Sequence, residues 1–306
     1  MTADFSGFVG IDWSGARGPR QPGIQLAEAG PGTAAPHSIM AEDGRHWGRG
    51  PVLDWLIRRA AAADASAAGP VLVGIDFAFA HPFVDEGAFY PGLNGSPPDA
   101  AALWAFVERH CQDDPHLYGG AMFAAPAVGD YYLSPKHHFA PHYRSRRRAT
   151  ELAARASARA PSPTFKAIGA DNVATGSMAG MRLIHALKAA LGPRLAVWPF
   201  DRVATDAASQ PAMVLVEIFP SYYFHRVGMN PAKKAAADPA FMSAALAGYD
   251  SAGVGPEFVP RGSDADEADA IISAAALRWF AAQPGSWDAP EAAALEGWIF
   301  GVPAVT

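Results

Sequence analysis

Carboxylates stand at several points where their neighbours in the chain are apolar. Asp12 closes the run Phe8-Val9-Gly10-Ile11-Asp12, Asp76 closes Val71-Leu72-Val73-Gly74-Ile75-Asp76, and Glu217 sits inside Val214-Leu215-Val216-Glu217-Ile218-Phe219. An ionised carboxylate in such company is costly unless it is hydrogen-bonded, paired or metal-bound. Taken singly, each acid has a plain alternative role, capping a turn or pairing with an arginine. Asp266 and Asp269 follow in the run Asp264-Ala265-Asp266-Glu267-Ala268-Asp269-Ala270-Ile271. Three residues apart, they neighbour each other on one helix face. The helix dipole favours acids at a helix start, so capping is the plain alternative here. Asp269, set among Ala268, Ala270 and Ile271, stands where the helix should already turn inward.

Two strand-end acids and one helix acid can converge on one point. Hard oxygen ligands of this kind suit Mg²⁺ or Mn²⁺ and need no cysteine or histidine. Two such ions about 3.5–4 Å apart activate a water and stabilise the leaving oxygen in phosphoryl displacement.

The elements that must position these acids follow from hydrophobic spacing. Residues 8–15 read as a strand ending in a glycine turn, and 23–29 and 37–41 can complete an antiparallel meander. Residues 52–62 carry helical spacing. Residues 70–76 lack alternation, which suggests a parallel strand covered on both faces. Helices are expected at 98–110, 149–160, 177–191 and 239–248, with the third stopped by Gly192-Pro193. Strands are expected at 194–200 and 214–219. A last helix spans 263–280, with Ser263 able to cap it. The apolar tail from Glu296 to Val302 should dock back on the body. Strands followed by alternating β and α elements indicate a mixed sheet with helices on its faces. The expectation is one domain, 1–306, with an insertion or lid at about 81–175.

The ordered acids resemble the RNase H-like superfamily, and within it the RuvC-type resolvases. The matching residues are Gly10-Ile11-Asp12, Gly74-Ile75-Asp76 and Asp266-Glu267-Ala268-Asp269-Ala270. More closely, the chain is similar to the family labelled domain of unknown function 429, predicted RNase H-like nucleases. The shared features are Gly10-Ile11-Asp12-Trp13-Ser14-Gly15, Glu217-Ile218-Phe219-Pro220, the Asp-rich helix start and Glu296-Gly297-Trp298-Ile299-Phe300-Gly301. The resemblance implies an RNase H-like mixed five-stranded sheet, an antiparallel meander plus parallel strands. It implies metal ligation by Asp12, Asp76 and Asp269, assisted by Asp266 and Glu217, and a metal-dependent nuclease. Two departures stand out. Asp76 occupies a position where the resolvases use a glutamate, and Glu217 has no counterpart in them.

A nucleic-acid substrate needs cations. With 24 Lys and Arg against 30 Asp and Glu, the chain carries a formal charge of −6 and is not a sequence-blind polyanion binder. A local basic patch is therefore required. The stretch 136–148 supplies Lys136, Arg144, Arg146, Arg147 and Arg148, with Lys166 further on, as candidate phosphate contacts. Tyr131, Tyr132, Phe139 and Tyr143 could stack on bases. The plain alternative is a solvated helix start with core aromatics beside it. His138 and His142, with His137, form a weak metal pattern lacking an acid or cysteine nearby.

Other chemistries find little support. The turn Ser14-Gly15-Ala16-Arg17-Gly18 can offer backbone N–H groups to a phosphate, but it matches neither the phosphate-loop nor the dinucleotide spacing. It keeps an actin-like nucleotide-binding protein open as an alternative, as is a non-catalytic scaffold holding a structural ion. No Gly-x-Ser-x-Gly elbow is present. The single cysteine, Cys111, excludes a disulfide framework and fits a reducing cytoplasm. Apolar runs fall far short of the ~20 residues a membrane span requires.

Overall fold

The computed structural model describes residues 4–66, 68–135, 140–169, 172–204, 209–231, 236–261 and 266–304. Its centre is a mixed sheet. β1 (Gly7–Asp12), β2 (Gln25–Ala29) and β3 (His37–Ile39) form the antiparallel meander. β4 (Val71–Ile75) runs parallel to β1, β6 (Met213–Glu217) parallel to β4, and β5 (Leu195–Val197) parallel to β6. The order is β3-β2-β1-β4-β6-β5. Six strands replace the five expected. β6 is buried along its whole length, and short β5 pairs the edge it would otherwise leave open.

Helices cover both faces. One face holds α1 (Arg49–Ser66), α2 (Ala100–Cys111) and α4 (Ala174–Leu191), whose apolar residues pack on Val9, Ile11, Val73, Ile75 and Leu215. The other holds α5 (Pro220–Arg226), α6 (Pro239–Ala247) and α7 (Asp266–Ala281), packed on Phe8, Leu72, Val214, Val216 and Ile218. Two-sided coverage explains why β1, β4 and β6 are buried throughout and show no polar alternation. α3 (Ala149–Ser157) and short α8 (Ala293–Glu296) complete the α-helices among the described residues. The expected cap Ser263 lies outside those residues.

The segment expected as an insertion contributes to the first core. Phe79, Phe89, Tyr90, Leu103 and Phe165 all belong to the cluster that covers β1 and β4. Buried His81 joins its two ends, with ring nitrogens 2.8 Å from the hydroxyls of Thr164 and Tyr132. Tyr131 and Tyr132, candidates for stacking on bases, are instead buried. The Tyr132 hydroxyl is shared with His81 and Tyr90, so its ring is held inside by bonds that water would otherwise make.

The C-terminal tail docks as expected. Ile299 pairs with Glu217, and the Phe300 N–H donates to the Glu217 carbonyl at 2.9 Å. Buried Glu296 accepts from the N–H groups of Phe83, Val84 and Ala149 at 2.6, 2.8 and 2.8 Å. One carboxylate thus fixes the tail, a loop and the start of α3. Among the described residues no helix is long and apolar enough to cross a membrane.

Candidate metal centre

β1 and β4 lie in parallel register, with Ile11 opposite Ile75. The Asp76 N–H continues that ladder, donating to the Ile11 carbonyl at 3.0 Å. Asp12 and Asp76 are therefore neighbours at the same end of the sheet. Strand alternation places them on the face of Gly10 and Gly74, the face that α7 covers. A Cβ on Gly10 would stand 2.7 Å from the Ala274 nitrogen and 2.8 Å from the Ser273 Cβ. Both glycines let α7 lie flush on the sheet, and this brings Asp266 and Asp269, on its first turn, to the strand ends. Asp266 Oδ2 lies 3.6 Å from where a Cβ on Gly23 would sit, in the turn leading into β2.

Asp12, Asp76, Asp266 and Asp269 are electrostatically coupled. Asp12 is held well above the usual carboxylate range by burial, then by the charges of Asp269, Asp76 and Asp266; the Trp13 N–H, 3.0 Å from its Oδ1, opposes this. Asp76 is raised by burial, Asp269 and Glu217. Asp269 is pushed up to about 7 by burial and then Asp266. No described cation forms an ion pair with Asp12, Asp76 or Asp269. The acids sense one another across short reach, yet among the described residues no three His, Cys, Asp or Glu side chains stand in metal-holding geometry. The donor chemistry fits a hard divalent cation; the side chains are gathered but not closed around one.

Glu217 departs from this group. It is in register with Ile75, so it faces the opposite side of the sheet from Asp12 and Asp76. There Arg148 grips it at both oxygens, at 2.7 and 2.5 Å, while the Phe79 N–H donates to it at 3.0 Å. The assisting role expected for Glu217 is corrected to that of an ion-pair partner. On α7, Glu267, which follows Asp266, is likewise engaged, by Ser38 and Arg261.

The basic patch is corrected more sharply. Arg148 is 1% exposed and holds Glu217, Glu151 and the Glu296 carbonyl. Its two carboxylate partners keep its guanidinium firmly charged, whereas Glu151, buried beside the Glu217 charge, is pushed up to about 7. Arg146 is 7% exposed and bonds Asp85 and the carbonyls of Pro82, Ala88 and Phe89. Neither can track a phosphate backbone, because each is buried with most of its five donors committed to these acceptors. Arg147 is half-buried and donates to the Pro161 carbonyl. Arg144 is exposed, 3.8 Å from Glu86. Lys166 is half-buried, its backbone bridging to Leu133. Lys136, His137, His138 and Phe139 lie outside the described residues. His142 is exposed and packs its ring on Tyr131.

Two features of the site had no sequence signal. The first is buried Arg49, on α1, which donates to the carbonyls of Ser14 and Ala16 at 2.9 and 3.0 Å. It clamps the turn after Asp12, and Gly15 in that turn abuts the backbone of Thr175 and Gly176. The second is a cavity of about 600 Å³ beside the acids, walled by Asp76, the Trp13–Ala16 turn, the start of α4 and the segment around Arg159. Its lining comes from distant parts of the chain, which is why spacing could not reveal it.

Comparison of the chain with protein-family models, with curated proteins and with solved structures finds no match.

Proposed function

We propose that the chain is a divalent-metal-dependent phosphodiester hydrolase of RNase H-like type, with nucleic acid as its substrate class. The observation that carries this reading is the placement of Asp12 and Asp76 at neighbouring strand ends on the face that α7 covers, with Asp269 on the first turn of α7, each raised by burial and none in a described ion pair. Buried carboxyls that raise one another's pKa are poised either to keep protons or to exchange them for a cation. Asp12, Asp76 and Asp269 would hold Mg²⁺ or Mn²⁺, with Asp266 at the edge of the set. Such an ion, when bound, supplies a water of lowered pKa and stabilises developing charge on the phosphate oxygens. The strand order, an antiparallel meander followed by parallel strands with the acids on β1, after β4 and on α7, supports the family resemblance on which this reading also draws.

The chain's own residues divide the work. Asp12 is oriented by the Trp13 N–H and by the turn that Arg49 clamps. Gly10 sets the approach of α7 and therefore of Asp269. The adjoining cavity provides room for substrate on the Asp76 side.

Cleavage of labelled single-stranded, branched and RNA–DNA hybrid substrates with Mg²⁺ or Mn²⁺ tests the reading. The expected result is metal-dependent cleavage lost in Asp12→Asn and Asp269→Asn. Cleavage that survives Asp12→Asn would overturn the mechanism. Tight Mn²⁺ binding with no cleavage of any substrate would instead identify a metal-holding scaffold.

A further inference from the structure

We propose that the cavity beside Asp76 seats a single nucleotide unit of the substrate, with its phosphate held at the rim by Arg159. This rests on the hydrolase reading for its biological setting, and on the cavity for its chemistry.

The volume, about 600 Å³, falls within the roughly 300–1,000 Å³ of pockets that enclose small ligands. It suits one nucleotide unit and excludes a duplex, so a strand end or an extruded nucleotide would enter. The walls are of two kinds. Trp13, Phe77 and Phe219 offer apolar surface for a base, and Asn172 and Ser221 offer hydrogen-bonding groups. An aromatic base needs both, a face to cover and edges to satisfy.

Charge then sets the direction of entry. The inner wall is acidic. Asp76 is there, and Arg148 is shared between Glu217 and Glu151, so one cation meets two carboxylates. The rim is basic. Arg159 is exposed, and its Nη1 lies 3.5 Å from His225 Nε2. Arg159 donates to His225 there, and no carboxylate pairs with Arg159 among the described ion pairs, so its remaining donors are open to an anion. Arg148 is committed to its carboxylates and Arg159 is not, so a phosphate is attracted to the rim. A bound nucleotide would therefore point its base inward and its phosphate outward, leaving its other end toward Asp76.

Calorimetry on chelator-treated protein, with the four nucleoside 5′-monophosphates, adenosine and inorganic phosphate as probes, tests this apart from any cleavage. At least one monophosphate should bind, with adenosine and inorganic phosphate each at least tenfold weaker. Arg159→Ala should weaken the monophosphate at least tenfold. Arg159 is exposed, so folding of the variant is expected and is checked by circular dichroism. Absence of binding by all four, equal binding of adenosine, equal binding of inorganic phosphate, or indifference to Arg159→Ala would each overturn the proposal. Metal is absent throughout, so monophosphate binding without cleavage activity leaves this inference standing while the hydrolase reading falls. Cleavage without monophosphate binding does the reverse.

Discussion

Gly10 on β1 lies against the carbonyl of Ala270 on α7 so closely that no side chain fits between them. This contact fixes how far the first turn of α7 stands from the end of β1, and with it the approach of Asp269 to Asp12. Gly10→Ala should therefore act on stability and site together. Overpacking of this kind costs about 1–3 kcal/mol or more, because the obstacles are backbone atoms that cannot rotate away. Urea unfolding should show the loss, and Mn²⁺ should stabilise the variant less than it stabilises the wild type. A variant as stable and as metal-responsive as the wild type would show that α7 is not positioned by this contact.

The buried cluster around Arg148 gives a prediction of the opposite kind. Arg148→Met leaves Glu217 and Glu151 without their cation, both almost fully buried. Removing one partner of a buried pair costs about 3–5 kcal/mol. The expected phenotype is a large drop in denaturation midpoint. Arg144→Ala, at an exposed position, should change stability by less than about 0.5 kcal/mol. Equal, small effects of the two substitutions in chemical denaturation would contradict the placement of Arg148.

The acids at the strand ends make stability depend on pH. The carboxyl of Asp269 moves from an ordinary value of 3.8 to about 7 on folding, and those of Asp12 and Asp76 also move up. The folded state thus keeps protons that the unfolded chain releases. The stabilisation is complete below the ordinary value and is lost as pH rises through the folded value. Glu151, also raised to about 7, contributes with the same sign. Asp43, Asp85 and Glu267, all lowered, contribute with the opposite sign toward acid. Asp269→Asn isolates the first effect: relative to the wild type, its melting temperature should rise between pH 3.8 and about 7 and then level off. A difference that is flat across this window would refute the raised value.

Metal binding should reverse that trend. Cations bind the deprotonated carboxylates, so stabilisation by Mn²⁺ should grow with pH over the same interval. A free concentration of a hundred times Kd adds about 2.7 kcal/mol. Thermal shift with and without Mn²⁺ checks this, and Asp12→Asn should abolish the response. Glu217→Gln should lower stability and leave the metal-induced shift in place, since both Glu217 oxygens are committed to Arg148.

The chain's own pattern determined most of the scaffold. Unbroken apolar runs at 8–11, 71–75 and 214–216 specify strands covered on both faces, and helical spacing with Gly192-Pro193 as a stop specifies α4. The acids at strand ends and at the start of α7 were legible because a carboxylate beside apolar neighbours signals an unusual environment whatever the fold. The side of the sheet that each acid faces was decided by register. Ile75 pairs with Glu217, so the next residue, Asp76, and not Glu217, shares a face with Asp12. The fate of the arginines was decided only by the folded chain. Arg146 and Arg148 read as a solvent-facing run because a local window holds no partner for most of their donors. Their carboxylates, Asp85 and Glu217, lie 61 and 69 residues away. A charge is solvated or buried according to what the fold brings beside it, and this depends on the whole topology, which no short stretch of sequence contains.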